Sequence, residues 1–542
     1  MIPIIDLFAG PGGLGEGFSS LLDNNHQRIF DIKLSIEKDS YAHQTLKLRS
    51  FFRKFPIDQV PEEYYSFIKG EITIEDLYKN YPHQAKTADR EAWCGTLGEP
   101  EIGDKNGLSN EEIDARIKEI LGENNQWLLI GGPPCQAYSI VGRSRRKEIK
   151  LDINKDKRVG LYKEYLRIIA VHKPAVFVME NVKGLLSAQT EEEYIFSRIL
   201  SDLSDPVNAY ISEDENIENQ FRPRYRIYSL SVQAEQYDEN GFPIFKAQDF
   251  IIKAEDYGIP QKRHRVILLG VREDMPAPEH ILDKKDETSL ASVIGNLPRI
   301  RSGLSREFSH TEIIQDSDGN PKKRRFYNKI RDSRERWVEY ILKYNTDINK
   351  YFKSGDSWTE DELPFSVGDN YIKTDNYSLE ADHLLKNWFY DQHLGGILHH
   401  ISRNHMSQDL KRYMFAAYYT KINGTFPKLD DYKKAGSDLL PDHENAESGK
   451  FTDRFRVQLP NIPATTVTSH ISKDGHYFIH YDPKQSRSFT VREAARVQTF
   501  PDNYYFCGGR TEQFHQVGNA VPPYLAYQIA EIIHDIFIQN EH

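Results

Sequence analysis

Over its first 270 residues the chain alternates short apolar strands with amphipathic helices, and that alternation leaves few architectures open. Ile2–Phe8 reads as a strand, Gly13–Leu22 as the start of the next helix, and Ile32–Glu37 as a second strand. Trp127–Gly131 and Ala175–Asn181 (AVFVMEN) read as buried strands, with apolar residues at helical spacing through Leu161–His172 between them. RYRIYSLSV and QDFIIKAEDYG follow, joined through Asn240-Gly241 as a hairpin, and RVILLGV closes the region. Such an order predicts an α/β fold with a mostly parallel, doubly wound Rossmann-like sheet and the hairpin at its edge.

Residues 50–125 are longer than a crossover needs and rich in Glu, Lys and Tyr, which reads as a mostly helical insertion in a first domain spanning 1–285. From about 286 to 487 the alternation stops, and a second, smaller domain is expected there. Residues 488–542 return to the first domain and end in PYLAYQIAEIIHDIFI, an amphipathic helix with Leu525, Ile529, Ile532, Ile533 and Ile536 on one side.

Composition narrows the function. A net charge of −11 gives no general attraction to nucleic acid, yet two basic runs stand out: Arg143, Arg145, Arg146 and Lys147, and then Lys322 to Arg325. A solvated face is the plain reading of either run, and a nucleic-acid footprint requires clustering in space. The three cysteines, Cys94, Cys135 and Cys507, have no metal-like spacing, so a reducing compartment and no metal are expected. Met1 leads into IPIIDLF without a basic n-region or a long apolar stretch, so neither a secretory signal nor a membrane span is expected, and the reading is cytoplasmic. His399, His400 and His405 read as scaffold rather than as metal ligands.

Four loops then fall on one rim. DLFAGPGGLGEGF follows the first strand, with Gly10-x-Gly12-x-x-Gly15 and an acid, Glu37, 22 residues beyond at the end of the second strand. That spacing suits a tight turn, close backbone approach to a ligand, and a carboxylate for ribose hydroxyls; NAD, FAD and an adenosyl cofactor all fit it. GGPPCQAYS follows the third strand, and Glu180-Asn181 ends the fourth. Ligands of an open parallel sheet gather where its strands end, and all four loops lie there. Cys135 is stiffened by two prolines and flanked by polar residues, so it reads as a displayed nucleophile, with Arg143 or Arg263 as cations favouring its thiolate. Cys94 and Cys507 are not expected at a strand end. A carboxylate in an uncharged strand, as Glu180 is, needs a partner or a use as an acid.

With these pieces assembled, the chain resembles the DNA (cytosine-5)-methyltransferases of bacterial restriction–modification systems. DLFAGPGGLGEGF resembles the first cofactor loop, SIEKD the ribose acid, GGPPCQAYS the catalytic loop, and MENVKGLL the Glu-Asn-Val element. DYGIPQKRHRVILLG resembles the Gln-x-Arg-x-Arg element, and TVREAARVQTFPD and QVGNAVPP the two closing motifs, in the family's order. The resemblance covers roughly 1–50, 95–190, 245–310 and 455–535.

It implies a S-adenosyl-L-methionine cofactor, converted to S-adenosyl-L-homocysteine and held by Asp6, Phe8, Ala9, Gly10, Gly12, Gly13, Glu37, Lys38, Pro133 and Asn519. Lys38 stands where the family often has an aromatic residue; Glu99 and Asp104 are both candidates for the acid that meets the adenine. Cys135, Glu180, Arg263 and Arg265 are the catalytic set it implies, with the two arginines alternating along one strand and facing one side. Gln136, Ser139, Arg143 and Arg145 belong to a loop that closes over DNA, while 286–487 reads the target. The implied partners are double-stranded DNA and a cognate restriction endonuclease, for a monomer with no membrane partner. Within the same fold the alternatives are an RNA cytosine-5 methyltransferase and a catalytically silent DNA-binding homologue. A NAD-dependent dehydrogenase would explain the glycine loop alone.

Overall fold

The computed structural model describes residues 1–98, 106–134, 157–187, 195–210, 222–315, 321–440 and 455–540. Its centre is one eight-stranded sheet: β1 (Ile2–Leu7), β2 (Phe30–Glu37), β3 (Ala92–Cys94), β4 (Leu128–Gly131), β5 (Val176–Val182), β6 (Tyr225–Tyr228), β7 (Ile251–Lys253) and β8 (His264–Arg272). The order is β3-β2-β1-β4-β5-β8-β6, with β7 also on β8. Every pairing from β3 to β5 is parallel, and β8 runs antiparallel to β5, β6 and β7.

A parallel strand covered on both faces must be apolar on both, which is why LLIG and VFVM lie fully buried. Alternate side chains divide between two cores. Ile4, Leu128, Ile130 and Val178 pack with the final helix Pro523–Asn540, while Ile5, Leu129, Phe177 and Met179 pack beneath the helices Asn110–Leu121 and Lys157–His172. Having run outward through β2 and β3, the chain returns to the far side of β1 as β4. The strand order therefore reverses between β1 and β4, and a crevice opens past their carboxyl ends.

Two expectations change. β6 and β7 do not pair with each other; each pairs separately with β8. Asn240-Gly241 does make a tight turn, with Gly241 at φ +79°, but it joins Tyr237 to Pro243 rather than the two strands. The stretch 50–125 supplies helices Glu62–Lys69, Ile74–Asn80, Pro82–Glu91 and Asn110–Leu121, and it also supplies the edge strand β3. Three residues are too few to show a period of two. Tyr64, Tyr65, Ile68 and Leu77 of this stretch form a core with Leu394, Leu398 and Cys507.

Beyond residue 286 two further cores appear. One joins Leu290–Leu297 and Tyr377–Ile397 to Ala464–Ala520, and the other gathers helices Arg334–Phe352 and Ser407–Asn423. The segment TVREAARVQTFPD belongs to the first of them and carries an ionic hub. Arg496 donates to both carboxylate oxygens of Asp502, at 2.9 and 2.6 Å, and Arg487 to both of Glu493, at 2.6 and 2.7 Å. Arg492 donates to the carbonyls of Leu398, Pro501 and Tyr504. No helix among the described residues is long and apolar enough to cross a membrane.

Glu493 gives a pH test of this hub. Burial alone would raise its pKa, but the Arg487 guanidinium, aided by His480 and His400, brings it down to about 2. A depressed carboxylate pKa stabilises the fold above its unfolded value and loses that contribution as pH falls, here from about 4.5 toward 2. Glu493→Gln should destabilise the protein by about 3–5 kcal/mol at neutral pH, because Arg487 is left buried and uncompensated. Urea unfolding of the variant should also lose part of the wild-type dependence on pH across that window. Equal stability at pH 7 would show that the pair contributes little.

Candidate active site

The crevice past β1, β2, β4 and β5 is a cleft of about 470 Å³. Its first wall is the loop after β1. Phe8 is held at φ +56°, a conformation uncommon for a side-chain-bearing residue, and Gly10 follows at φ +57°. Gly12, at φ +93°, admits no side chain, since a Cβ would lie 2.8 Å from Leu46 and 3.1 Å from the Tyr504 hydroxyl. A Cβ on Gly13 would lie 2.2 Å from the Val521 carbonyl oxygen, so the closing segment presses directly on the loop. Phe8 and Gly10 line the cleft, whereas Gly12 and Gly13 support it from behind. The Ala9 N–H ties the loop to the Ile36 carbonyl at 3.2 Å.

Asp6 does not line the cleft. It is buried in β1 beneath the loop, neither carboxylate oxygen has a hydrogen-bond partner among the described residues, and burial pushes its pKa well up against the pull of Arg53.

Glu37 ends β2 with its carboxylate at the cleft. Oε2 accepts from the Gly10 N–H at 2.9 Å and Oε1 from the Asp39 N–H at 2.8 Å, which leaves lone pairs on both oxygens. Burial raises its pKa, and those two backbone donors oppose the rise. Lys38 and Asn519 also line the cleft. Glu37→Ala should therefore weaken binding of S-adenosyl-L-homocysteine by roughly ten- to a hundredfold, the value of about 1.5–3 kcal/mol for a charge-assisted contact. Calorimetry giving wild-type affinity would remove Glu37 from ligand contact.

On the opposite wall, Glu180 lies two residues before the end of β5 and its Oε1 pairs with Arg265 Nε at 2.8 Å. Gly132 leaves room for this carboxylate, since a Cβ there would lie 3.0 Å from Glu180 Oε2. Asn181 donates to the Pro133 carbonyl at 3.2 Å and accepts from the Val182 N–H at 2.8 Å, which fixes the Pro133-Pro134 approach against the end of β5.

Arg263 and Arg265 both line the cleft, but against the expectation from their alternation they do not share a strand. Gln261–Lys262 pairs with Ala464–Thr465, β8 begins at His264, and Arg263 occupies the break between them. It donates to the carbonyls of Val467 at 2.9 Å and Gly518 at 3.3 Å. Among the described residues no carboxylate is bonded to it and its Nε has no partner; burial followed by the Arg265 charge weighs against its cation, and the Glu180 charge favours it. Gln261 bridges the same elements, donating to the Val497 carbonyl and accepting from the Val467 N–H.

Sequence reading put Asn181 and Gly132 in rim loops without giving either a role, and it missed Thr468 and Ser469 as parts of this wall. Asn181 stands in the MENV element already singled out, and Gly132 in GGPP, so both were within reach. Thr468 and Ser469 come from a remote stretch, and no local signal marks them.

Cys94 was not expected at a strand end, yet it is the last residue of β3, in register with Glu37. Its thiol is nonetheless held protonated by burial and by the charges of Glu37 and Asp39. Cys507 is buried, with its pKa pushed up to about 11. His399, His400 and His405 are bound into the scaffold: His399 accepts from the Phe506 N–H, His400 bonds the Pro298 carbonyl and Thr490, and His405 faces Tyr413 and Ser488. No cluster of metal-ligating side chains occurs among the described residues. Cys135, Gln136, Ser139, Arg143, Arg145, Glu99 and Asp104 lie outside those residues.

Comparison with known proteins identifies the family. The model of the family described as C-5 cytosine-specific DNA methylase matches residues 103–206 and 215–535. The chain is 29% identical to the type II methyltransferase M.Bpa9945I of Bacillus paralicheniformis, over 99% of this chain and 100% of that protein. It is 26% identical to the type II methyltransferase M.DdeI of Desulfomicrobium norvegicum, over 98% of this chain and 88% of that one. It is also 26% identical to the DNA (cytosine-5-)-methyltransferase M.ApeKI of Aeropyrum pernix, over 76% and 81%. Matching that family along most of its length, the chain belongs to the C-5 cytosine-specific DNA methylases and is a DNA (cytosine-5-)-methyltransferase.

Proposed function

We propose that the protein transfers a methyl group from S-adenosyl-L-methionine to carbon 5 of a cytosine flipped out of a specific double-stranded DNA site, through a covalent bond between Cys135 and carbon 6. The observation that carries this reading is the pairing of Glu180 with Arg265 at the cleft, beside the Pro133-Pro134 turn that leads directly into Cys135.

The residues present fit the cofactor. Glu37 retains acceptor capacity for two ribose hydroxyls, a Cβ on Gly10 would meet no atom within 4 Å, and the cleft is of ligand size. When bound, the cofactor supplies an electrophilic methyl sulfonium. Phe8, Gly10, Lys38, Pro133 and Asn519 border the space it would fill.

A cytosine inside a duplex hides carbon 6 in the stack, so the base must leave it. The Cys135 thiolate adds to carbon 6, and the electron pair displaced from the 5,6 double bond is drawn toward N3. Glu180 holds N3 and the amino edge and supplies the N3 proton. Carbon 5 of the resulting enamine takes the methyl group. Loss of the carbon 5 proton to solvent then re-forms the double bond and expels the thiolate, and N3 returns its proton to the Glu180 carboxylate. Arg265 positions Glu180, and Arg263, a buried cation without a carboxylate, is suited to the base carbonyl or the flipped phosphate.

Gln136, Ser139, Arg143 and Arg145 would close over the duplex, and residues 286–487 would form the target-recognition domain. We assign the protein as a monomeric cytoplasmic methylase serving alongside an endonuclease that cuts the same site. Tritium transfer from labelled S-adenosyl-L-methionine tests the substrate. Label is expected in unmethylated duplex DNA and not in total tRNA; label in tRNA alone would favour the RNA enzyme, and label in neither would favour a silent homologue.

A further inference from the structure

The basic run at 322–325 folds into an element that the local sequence pattern does not announce. Gly303–Gln315 and Pro321–Lys329 form an antiparallel two-stranded ribbon of thirteen and nine residues. At its root Gly303 to Arg306 runs beside Asn404–Met406, Leu304 enters a core, and Tyr340 donates to Glu307 at 2.7 Å. Further out, Arg325 reaches the Leu440 carbonyl at 3.4 Å. Most of the first strand is exposed, including Phe308 at 42% and Ile313 at 72%. A two-stranded ribbon standing largely free is marginal by itself, so its length requires another explanation.

Its charge points to a partner. The two strands carry Arg306, Lys322, Lys323, Arg324, Arg325 and Lys329 against Glu307 and Glu312, in a chain of net charge −11. In register, Arg324 faces Glu312 and Phe326 faces His310, with those two rings stacked at 5.0 Å. Arg325 and Tyr327 face Thr311 and Phe308 on the other side. At about 3.3 Å per residue the longer strand spans roughly 40 Å, more than the ~34 Å turn of a duplex, and a major groove about 12 Å wide admits a two-stranded ribbon.

The root is coupled to the active-site wall. The Gly303 N–H donates to the Arg403 carbonyl at 3.0 Å, and the Arg403 guanidinium donates to the carbonyls of Ile471, Ser472 and Lys473. The turn they belong to begins at Ser469, which lines the cleft.

We propose that this ribbon is a DNA-binding arm that lies in the groove beside the flipped base, with Arg306, Arg324 and Lys329 on phosphates and Ile313 and Phe308 against base edges. The inference rests on duplex DNA being the substrate. Two variants test it: the triple substitution R306A/R324A/K329A, and replacement of residues 309–326 by Asn-Gly. The second joins Phe308 to Tyr327, which already face each other in the ladder, through a turn suited to a hairpin. With a labelled 60-base-pair duplex, each variant should bind about ten- to a hundredfold more weakly near 0.1 M salt. The triple variant should flatten the slope of log affinity against log salt by roughly 2–3. Binding of S-adenosyl-L-homocysteine should be unchanged and reports the fold; should the shortened variant lose it, the triple variant decides. Wild-type protein that ignores the duplex would refute the substrate, whereas a wild-type affinity and salt slope in the triple variant would refute the arm.

Discussion

Glu180→Gln is expected to lower the rate of methyl transfer by about 10²- to 10⁴-fold while leaving S-adenosyl-L-homocysteine affinity intact. The amide has the shape of the carboxylate and can still accept from Arg265 through one oxygen, so the 2.8 Å contact has a surviving equivalent. What it lacks is a carboxyl that can carry a proton to N3 and, once that proton is given up, a negative charge facing Arg265. Addition at carbon 6 places electron density on N3, and without that proton the density must be borne by the ring. The loss should fall on kcat, since the interaction strengthens only as the thiolate adds. Arg265→Ala separates positioning from chemistry: Glu180 remains, its orientation is released, and the pH profile of kcat should move. Near-wild-type turnover in Glu180→Gln would show that N3 is protonated from elsewhere.

The central parallel strands β1, β4 and β5 were legible because they are nearly continuous apolar runs bounded by glycine, proline or a helix start, and a doubly wound sheet has one productive rim. Glu37 and Glu180 were readable because each stands at or near the carboxyl end of its strand, on that rim. The antiparallel edge was not. β6 and β7 are four and three residues long, and both satisfy their backbone groups on the long β8, so the Asn-Gly signal between them identified a turn but not its partners. Arg263 and Arg265 illustrate a second limit: an alternating pattern places two side chains on one face only while the strand continues, and here it breaks between them. The ribbon at 303–329 was hidden because both its faces are solvated, which removes the period of two from its hydrophobic pattern.

Cys135 is expected to be trapped by a duplex carrying 5-fluorocytosine at the target. Addition at carbon 6 and methyl transfer proceed, but fluorine cannot leave carbon 5 as a cation, so elimination is blocked and the thioether persists. A denaturing gel should show a protein–DNA adduct that forms only with S-adenosyl-L-methionine, and peptide mapping should place it on Cys135. Cys135→Ser should lose the adduct and most turnover, on the order of 10³- to 10⁶-fold, because a serine hydroxyl is a far weaker nucleophile at neutral pH. Cys94 is the informative control, since it ends β3 on the same rim and position alone does not exclude it. Electrostatics does: burial with Glu37 and Asp39 nearby keeps its thiol protonated, and only the thiolate adds. Cys94→Ser and Cys507→Ser should therefore both retain the adduct. An adduct mapped to Cys94, or full activity in Cys135→Ser, would overturn the covalent mechanism.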